Sequence, residues 1–334
     1  MRAPAFWSAP PQAPGWQAHA LRPLSALYAA ATTRRVARWP DVHPQVPVIC
    51  VGNINAGGTG KSPTVIALQE RLRARGVEAV VVTRGYGGRL AGPVRVDPAR
   101  MTARDVGDEA LMLAAFGAVF ASRDRAEAAR AAEASGCGAI LLDDGLQNPA
   151  VAKDLTLVVV DAAVGFGNGR VIPAGPLREP VAAGLQRADL LLVIGEAADR
   201  QRFAARWPDG PLPRLEATLE PLATGMDWDG LRVVAFAGIG RPAKFFATLR
   251  NLGAHIVEAV PLSDHQPFAP ALLNRLSRLA RQKDAQLVTT EKDAVRLPPD
   301  FRREVLTVPV RLRWIDARPL DAALDRLFPA ERAR

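Results

Sequence analysis

The sequence predicts an α/β fold: a P-loop NTPase-like, mostly parallel sheet flanked by helices, with a second, smaller α/β domain. Three observations carry that expectation. Short apolar runs bounded by turn residues alternate with helical patterns, a glycine-rich turn sits between a buried strand and an amphipathic helix, and a second alternating series follows a proline-rich break.

In chain order, Val46 to Val51, Ala79 to Thr83, Ala139 to Leu142, Leu155 to Val160 and Leu190 to Ile194 read as strands. Their continuous apolar character suits burial on both faces of a parallel sheet. Val65, Leu68 and Leu72 recur at helical spacing, and the alanine-rich stretch Arg125 to Ala134 makes another helix. WPDGPLP at 207–213 packs three prolines and a glycine into seven residues, which breaks regular structure and divides a core of residues 39–210 from a C-terminal unit of 211–334. In that unit Leu231 to Ala237, Ile256 to Val260, Gln286 to Thr290 and Val305 to Val310 read as strands, with helices near Ala243 to Leu252 and Pro270 to Gln282.

A hydrophobic share of 49% with 23% charged residues excludes a disordered chain. The 43 basic against 34 acidic residues leave a net charge of +9, which attracts nucleic acid, anionic lipid or phosphorylated substrates alike. Two cysteines, Cys50 and Cys137, are too few for a disulfide framework or a zinc site and fit a reducing cytoplasm. No apolar run reaches the length of a membrane span. Residues 1–38 carry a weaker signal: Leu21, Leu24 and Tyr28 at helical spacing, Trp7 and Trp16 before them, and Arg34, Arg35 and Arg38 after. That pattern suits a helix lying in a lipid interface with its arginines toward anionic headgroups, and equally a helix packed on the domain.

The strongest local signal is VGNINAGGTGKS at 51–62. Glycines let backbone N–H groups turn toward an anion, the helix N-terminus adds its dipole, Lys61 reaches the outer phosphates and Ser62 ligates magnesium. The strict P-loop pattern has glycine where this chain has Asn55. The other half of a magnesium site is expected at Asp143 and Asp144, where the apolar run Ala139 to Leu142 ends in two carboxylates on the same sheet edge. Asp108 and Glu109 open an apolar helix, Leu111 to Phe116. Acids there serve as helix caps, or as a general base toward a hydroxyl if a partner such as His265 approaches. Thr83 to Arg89 mixes glycines with two arginines and Tyr86, a composition suited to phosphate and sugar, or to a surface turn.

The series VGNINAGGTGKSP, TRGYGG, VGDEALMLA, DDGLQN, FGNGRVIPAGPLREP, FAGIGRP, DHQPF and TTEKDAVRL, in that order, resembles the tetraacyldisaccharide 4'-kinase family of lipid A synthesis. The resemblance implies an enzyme on the cytoplasmic face of the bacterial inner membrane that uses ATP and Mg2+ to phosphorylate the 4'-hydroxyl of a tetraacylated glucosamine disaccharide 1-phosphate. It implies an ATP loop of Asn55, Ala56, Gly57, Gly58, Thr59, Gly60, Lys61 and Ser62, with Lys61 catalytic and Ser62, Asp143 and Asp144 at the metal. Asp108 and His265 would form the catalytic pair. Arg84, Tyr86, Arg125, Gln147, Asn148, Arg178 and Glu179 match its substrate and active-site lining. The chain departs from the family pattern at Asn148 and Gln266, where histidines are usual, and at Ser62, where threonine is usual.

Two other classes compete. A P-loop GTPase needs an Asn/Thr-Lys-x-Asp motif, and Thr290-Glu291-Lys292-Asp293 has the wrong spacing. A non-catalytic nucleic-acid binder fits the basic charge, but no recognised nucleic-acid module is present, and no protein partner is implied.

Overall fold

The computed structural model describes residues 3–208, 210, 212–264 and 266–329. Thirteen strands form among them: β1 (Val48–Gly52), β2 (Ala79–Thr83), β3 (Val94–Arg95), β4 (Val119–Ala121), β5 (Ala139–Asp143), β6 (Leu155–Asp161), β7 (Leu190–Ile194), β8 (Arg214–Pro221), β9 (Arg232–Ala237), β10 (His255–Pro261), β11 (Gln286–Thr290), β12 (Val305–Val308) and β13 (Val310–Asp316). Nine of them make one sheet in the order β13-β8-β7-β6-β1-β5-β2-β4-β3, so the strand that feeds the glycine loop lies at its centre. All pairs in that sheet are parallel except β13 with β8 and β3 with β4 at the two edges.

Alternation along β1 builds both halves of the core. Ile49 and Val51 pack with Val65, Leu68 and Leu72 of the helix Lys61–Arg73, while Cys50 faces the opposite layer with Ile140, Leu142 and the small residues Ala128, Ala129 and Ala132 of the helix Arg125–Ala134. Every residue of β1, β5, β6 and β7 is buried, which is why these strands read as unbroken apolar runs.

A second sheet, ordered β10-β9-β11-β12 and wholly parallel, is a small copy of the same architecture. Val233, Ala235 and Ala237 meet the helix Pro242–Asn251 on one face; Val234 and Phe236 meet the helix Pro270–Lys283 on the other.

The composition break at 207–213 falls between β7 and β8, and no change of sheet occurs there. β8 pairs parallel with β7 and antiparallel with β13, and the C-terminal helix Arg318–Leu327 puts Leu320, Ala323 and Leu324 into the main core. Arg71 of the loop-bearing helix and Arg75 just beyond its end bind Asp321 of that last helix. Divided by sheet, the chain therefore changes over at 221/222 and 309/310 rather than at 211, with the small sheet inserted between two paired strands. Val305 to Val310, read as one strand, is two: Pro309 has no N–H to donate, and the strands on either side of it belong to different sheets.

Residues 3–38 lie along the loop 165–177. Trp7 Nε1 donates to the Pro173 carbonyl at 3.1 Å, Ser25 Oγ to that of Val171 at 2.8 Å, and Asn168 Nδ2 to that of Phe6 at 3.1 Å. The helix Arg22–Val36 turns small polar residues, Ser25 and Thr32, inward. Its large apolar side chains point out: Leu27 is 69% exposed, and Leu24 and Tyr28 lie beside it, with Trp16 (75%) and Trp39 (89%) at the two ends. No helix among the described residues is long and apolar enough to cross a membrane.

Candidate active site

The loop after β1 is held from both sides. Asn53 Nδ2 straps it internally to the Gly57 carbonyl at 3.1 Å. Asn55 Nδ2 donates to the Gly165 carbonyl at 2.9 Å and the Ala56 N–H to that of Pro176 at 2.7 Å. The departure from the strict P-loop pattern thus has a physical reason: position 55 does not adopt the left-handed backbone that would require glycine, and its side chain anchors the loop. The donors of Asn55 and Ala56 named here are spent on that anchoring, so the part of the loop open to a ligand begins at Gly57. A Cβ built at Gly57 or Gly58 meets nothing within 4 Å, whereas Gly60, at φ +97°, lies so close to Ile194 of β7 that a Cβ would sit 2.7 Å from its Cδ1. The Thr59 hydroxyl is buried without a hydrogen-bond partner beside this opening. Lys61 and Ser62 begin the following helix.

Asp143 ends β5 and Asp144 follows it in a left-handed conformation, φ +54°, which short polar side chains tolerate. Arg125 enforces that turn: it is buried, and its Nη1 donates to the Asp144 carbonyl at 2.8 Å. Arg125 therefore shapes the acidic corner from beneath instead of lining its surface. The two carboxylates face opposite environments. Asp144 lies 3.6 Å from Lys61 Nζ and accepts from Arg178 Nη1 at 2.8 and 3.0 Å. Burial would raise its pKa, but Lys61 and Arg178 outweigh that and hold it near 2. Asp143 is fully buried, with one oxygen accepting from Thr83 Oγ1 at 3.2 Å and the other unpartnered. Burial first, then the nearby Glu109 charge, pushes its pKa up to about 7 against the opposing pull of Lys61.

The side of this corner facing the loop 165–180 is a polar network. Gln147 Nε2 donates to the Asn53 carbonyl and to Glu179, both at 2.8 Å, and its Oε1 accepts from Arg178 Nη1 at 3.2 Å. Glu179, almost wholly buried, is neutralised by Arg187 at 2.7 Å. Asn148 turns away: its Oδ1 accepts from the Ala150 N–H at 2.9 Å, closing its own turn.

On the opposite side, Asp108 is 4% exposed at the start of the helix Asp108–Leu113, which begins earlier than the apolar pattern suggested because Gly107 precedes it. The loop 84–90 rests on this segment backbone to backbone. A Cβ at Gly88 would lie 2.7 Å from the Asp105 carbonyl oxygen, and the Leu90 N–H donates to that same oxygen at 3.0 Å. Arg84 and Tyr86 are exposed at the rim; Arg84 makes no ion pair among the described residues. The small sheet closes the cleft: Lys292 Nζ lies 3.1 Å from Glu109 Oε1, and Arg296 Nε 3.8 Å from Asp108 Oδ2. His265 lies outside the described residues, but its neighbour Gln266 accepts through its carbonyl from Arg296 Nη1 at 3.0 Å. Arg187, Lys292 and Arg296 were given no role at this site by the sequence reading, which did pick out Glu109 beside Asp108. Only the TTEKDAVRL run, without a chemical role, pointed to Lys292 and Arg296.

A phosphate loop leaving the central strand, with a paired acidic corner on the adjacent strand and a carboxylate-bearing helix across the cleft, defines a P-loop phosphotransferase. The family model for tetraacyldisaccharide-1-P 4'-kinase matches residues 17–329. A tetraacyldisaccharide 4'-kinase of Dinoroseobacter shibae is 65% identical over 98% of both chains, and one of a Jannaschia species is 58% identical over 98% of this chain and 99% of its own. A crystal structure of LpxK from Aquifex aeolicus in complex with ATP superposes with a TM-score of 0.75, covering 93% of this chain and 99% of that one at 24% identity, which speaks to the fold. The chain belongs to the tetraacyldisaccharide-1-P 4'-kinase family, kinases that phosphorylate the lipid A precursor disaccharide 1-phosphate at the 4' position.

Proposed function

We propose that this chain transfers the γ-phosphoryl group of ATP to the 4'-hydroxyl of the lipid disaccharide 1-phosphate, with Mg2+ bound, at the cytoplasmic face of the inner membrane. The observation that carries the reading is Asp143, buried with an unpartnered oxygen in a corner that Lys61 and the open end of the phosphate loop share. ATP is the phosphate donor bound by the related Aquifex aeolicus protein, and the fit here is good: open loop positions at Gly57 and Gly58, and the orphaned Thr59 hydroxyl.

Ser62, Asp143 and Asp144 would hold Mg2+, which neutralises charge on the phosphates. Lys61 stabilises the charge that develops on the transferring group. Asp108 accepts the proton of the 4'-hydroxyl as its oxygen bonds to phosphorus, with His265 orienting it. Arg178 holds Asp144, and Arg125 holds the turn that presents it. Arg84 and Tyr86 meet the phosphorylated sugar at the rim. The outward apolar residues Trp16, Leu24, Leu27 and Trp39, flanked by Arg34, Arg35 and Arg38, lie in the interface of an anionic leaflet, which brings the cleft to a lipid-borne acceptor.

Incubating the purified chain with labelled ATP, magnesium and the lipid disaccharide 1-phosphate in vesicles tests the reading. Label appears in the lipid if it holds. Label released only as inorganic phosphate overturns it.

A further inference from the structure

The run TTEKDAVRL carries Arg296 as its penultimate residue. Arg296 Nη1 donates to the Gln266 carbonyl at 3.0 Å and Nη2 to the Gly238 carbonyl at 3.3 Å. The same guanidinium is paired with Asp293 and lies 5.0 Å from the centre of the Phe268 ring. Its remaining donor, Nε, is buried without a hydrogen bond, 3.8 Å from Asp108 Oδ2. A single side chain thus joins the end of β9, the turn 263–268 and the Asp108 helix. A fork of fixed geometry does this where a point charge would not.

We propose that Arg296 is a positioning residue for phosphoryl transfer, holding Gln266 and Phe268 against the Asp108 helix and keeping the Asp108 carboxylate ionised. The inference rests on the reading of Asp108 as proton acceptor. A carboxylate as buried as Asp108, beside the like charge of Glu109, favours its protonated form unless a cation faces it. Among the described residues, the charged groups that face Asp108 include Glu109 on its own helix and Arg296 and Lys292 from the small sheet, with Asp264 near Lys292. Lys292 is bonded to Glu109. Asp293 tempers the Arg296 charge, but the Gly238 N–H and the Thr290 hydroxyl already donate to its Oδ2.

The test measures phosphoryl transfer against pH for the full chain and its Arg296→Gln, Arg296→Lys and Asp108→Asn variants, with folding checked by circular dichroism. Arg296→Gln should move the acidic limb of the kcat profile up by about one pH unit, the low end of the effect of one opposite charge at this range. Near the limb that is about a tenfold loss in kcat, shrinking as pH rises, with KM for ATP within about twofold of the parent. Arg296→Lys keeps the charge but not the fork, so it should leave the limb in place and lower the plateau. An unmoved limb in Arg296→Gln makes the arginine a structural staple only and overturns the proposal; a displaced limb in Arg296→Lys does so even where the glutamine variant fails to fold. Full activity in Asp108→Asn would instead remove the underlying role of Asp108.

Discussion

Asp143→Asn removes the unit negative charge of a carboxylate that is fully buried in the cleft. With a pKa of about 7 in the folded chain and an ordinary carboxylate value when unfolded, Asp143 binds its proton more tightly in the folded state. Stability therefore falls as pH rises from the unfolded value through about 7, and the full penalty is present only above that. Three pKa units set a ceiling of about 4 kcal/mol. Relaxation around the ionised group, and its coupling to Glu109, reduce the realised effect to about 1–2 kcal/mol, or a Tm change of roughly 2–4 °C for a chain of this size. Asparagine keeps a partner for Thr83, so the variant should unfold at a higher temperature than the parent at pH about 8.5 in the presence of chelator, with the gap reduced to roughly half at pH about 5.5 and closed only near the unfolded carboxylate value. Added magnesium should stabilise the parent and not the variant. A variant no more stable than the parent at the higher pH would refute the description of Asp143 as a carboxylate whose pKa is raised by burial.

Gly88→Ala forces a methyl group onto the backbone of Asp105 to Gly107, which should lift the 84–90 loop from the Asp108 segment; kcat should drop about tenfold, read in the lipid phosphorylation assay, with ATP binding unchanged. Leu24→Gln with Leu27→Gln should leave the melting temperature alone, because both side chains are exposed, yet weaken sedimentation with anionic vesicles by about 10³-fold at roughly 2 kcal/mol per leucine. These substitutions are cleaner than removing residues 1–38, which would also uncover the loop 165–177. Asp108→Ala and His265→Ala should each lower kcat by about 10²-fold, and the double variant should be little worse than the poorer single one, since both act in one step. Multiplying losses would argue for independent roles.

Legibility from sequence followed locality. β1, β5, β6 and β7 are buried on both faces and read directly as apolar runs. β8 and β13 were missed because they lie at the sheet edge, where RLEATLEP and VRLRWID alternate or carry charge, and because their pairing joins residues some ninety positions apart. Lys61, Asp143 and Asp144 were legible since each is tied to a strand end and a short motif. Arg125 and Asn148 were assigned to the lining by resemblance; that each also shapes a turn through its side chain depends on partners beyond its own motif that a short motif does not reveal. Arg296 and Lys292 act across the space between the two sheets, and nothing within their own segment announces which carboxylates they face.

The central claim is that the cleft between phosphate loop, acidic corner and Asp108 moves a phosphoryl group onto the 4' position. Phosphorus NMR of the lipid recovered after incubation with ATP and magnesium measures this directly. The account predicts a second phosphomonoester on the distal glucosamine, at the 4' oxygen, formed by the parent and lost to within background in Lys61→Ala with its fold intact. A product phosphorylated elsewhere, or the same product made at a near-parental rate by Lys61→Ala, would contradict it.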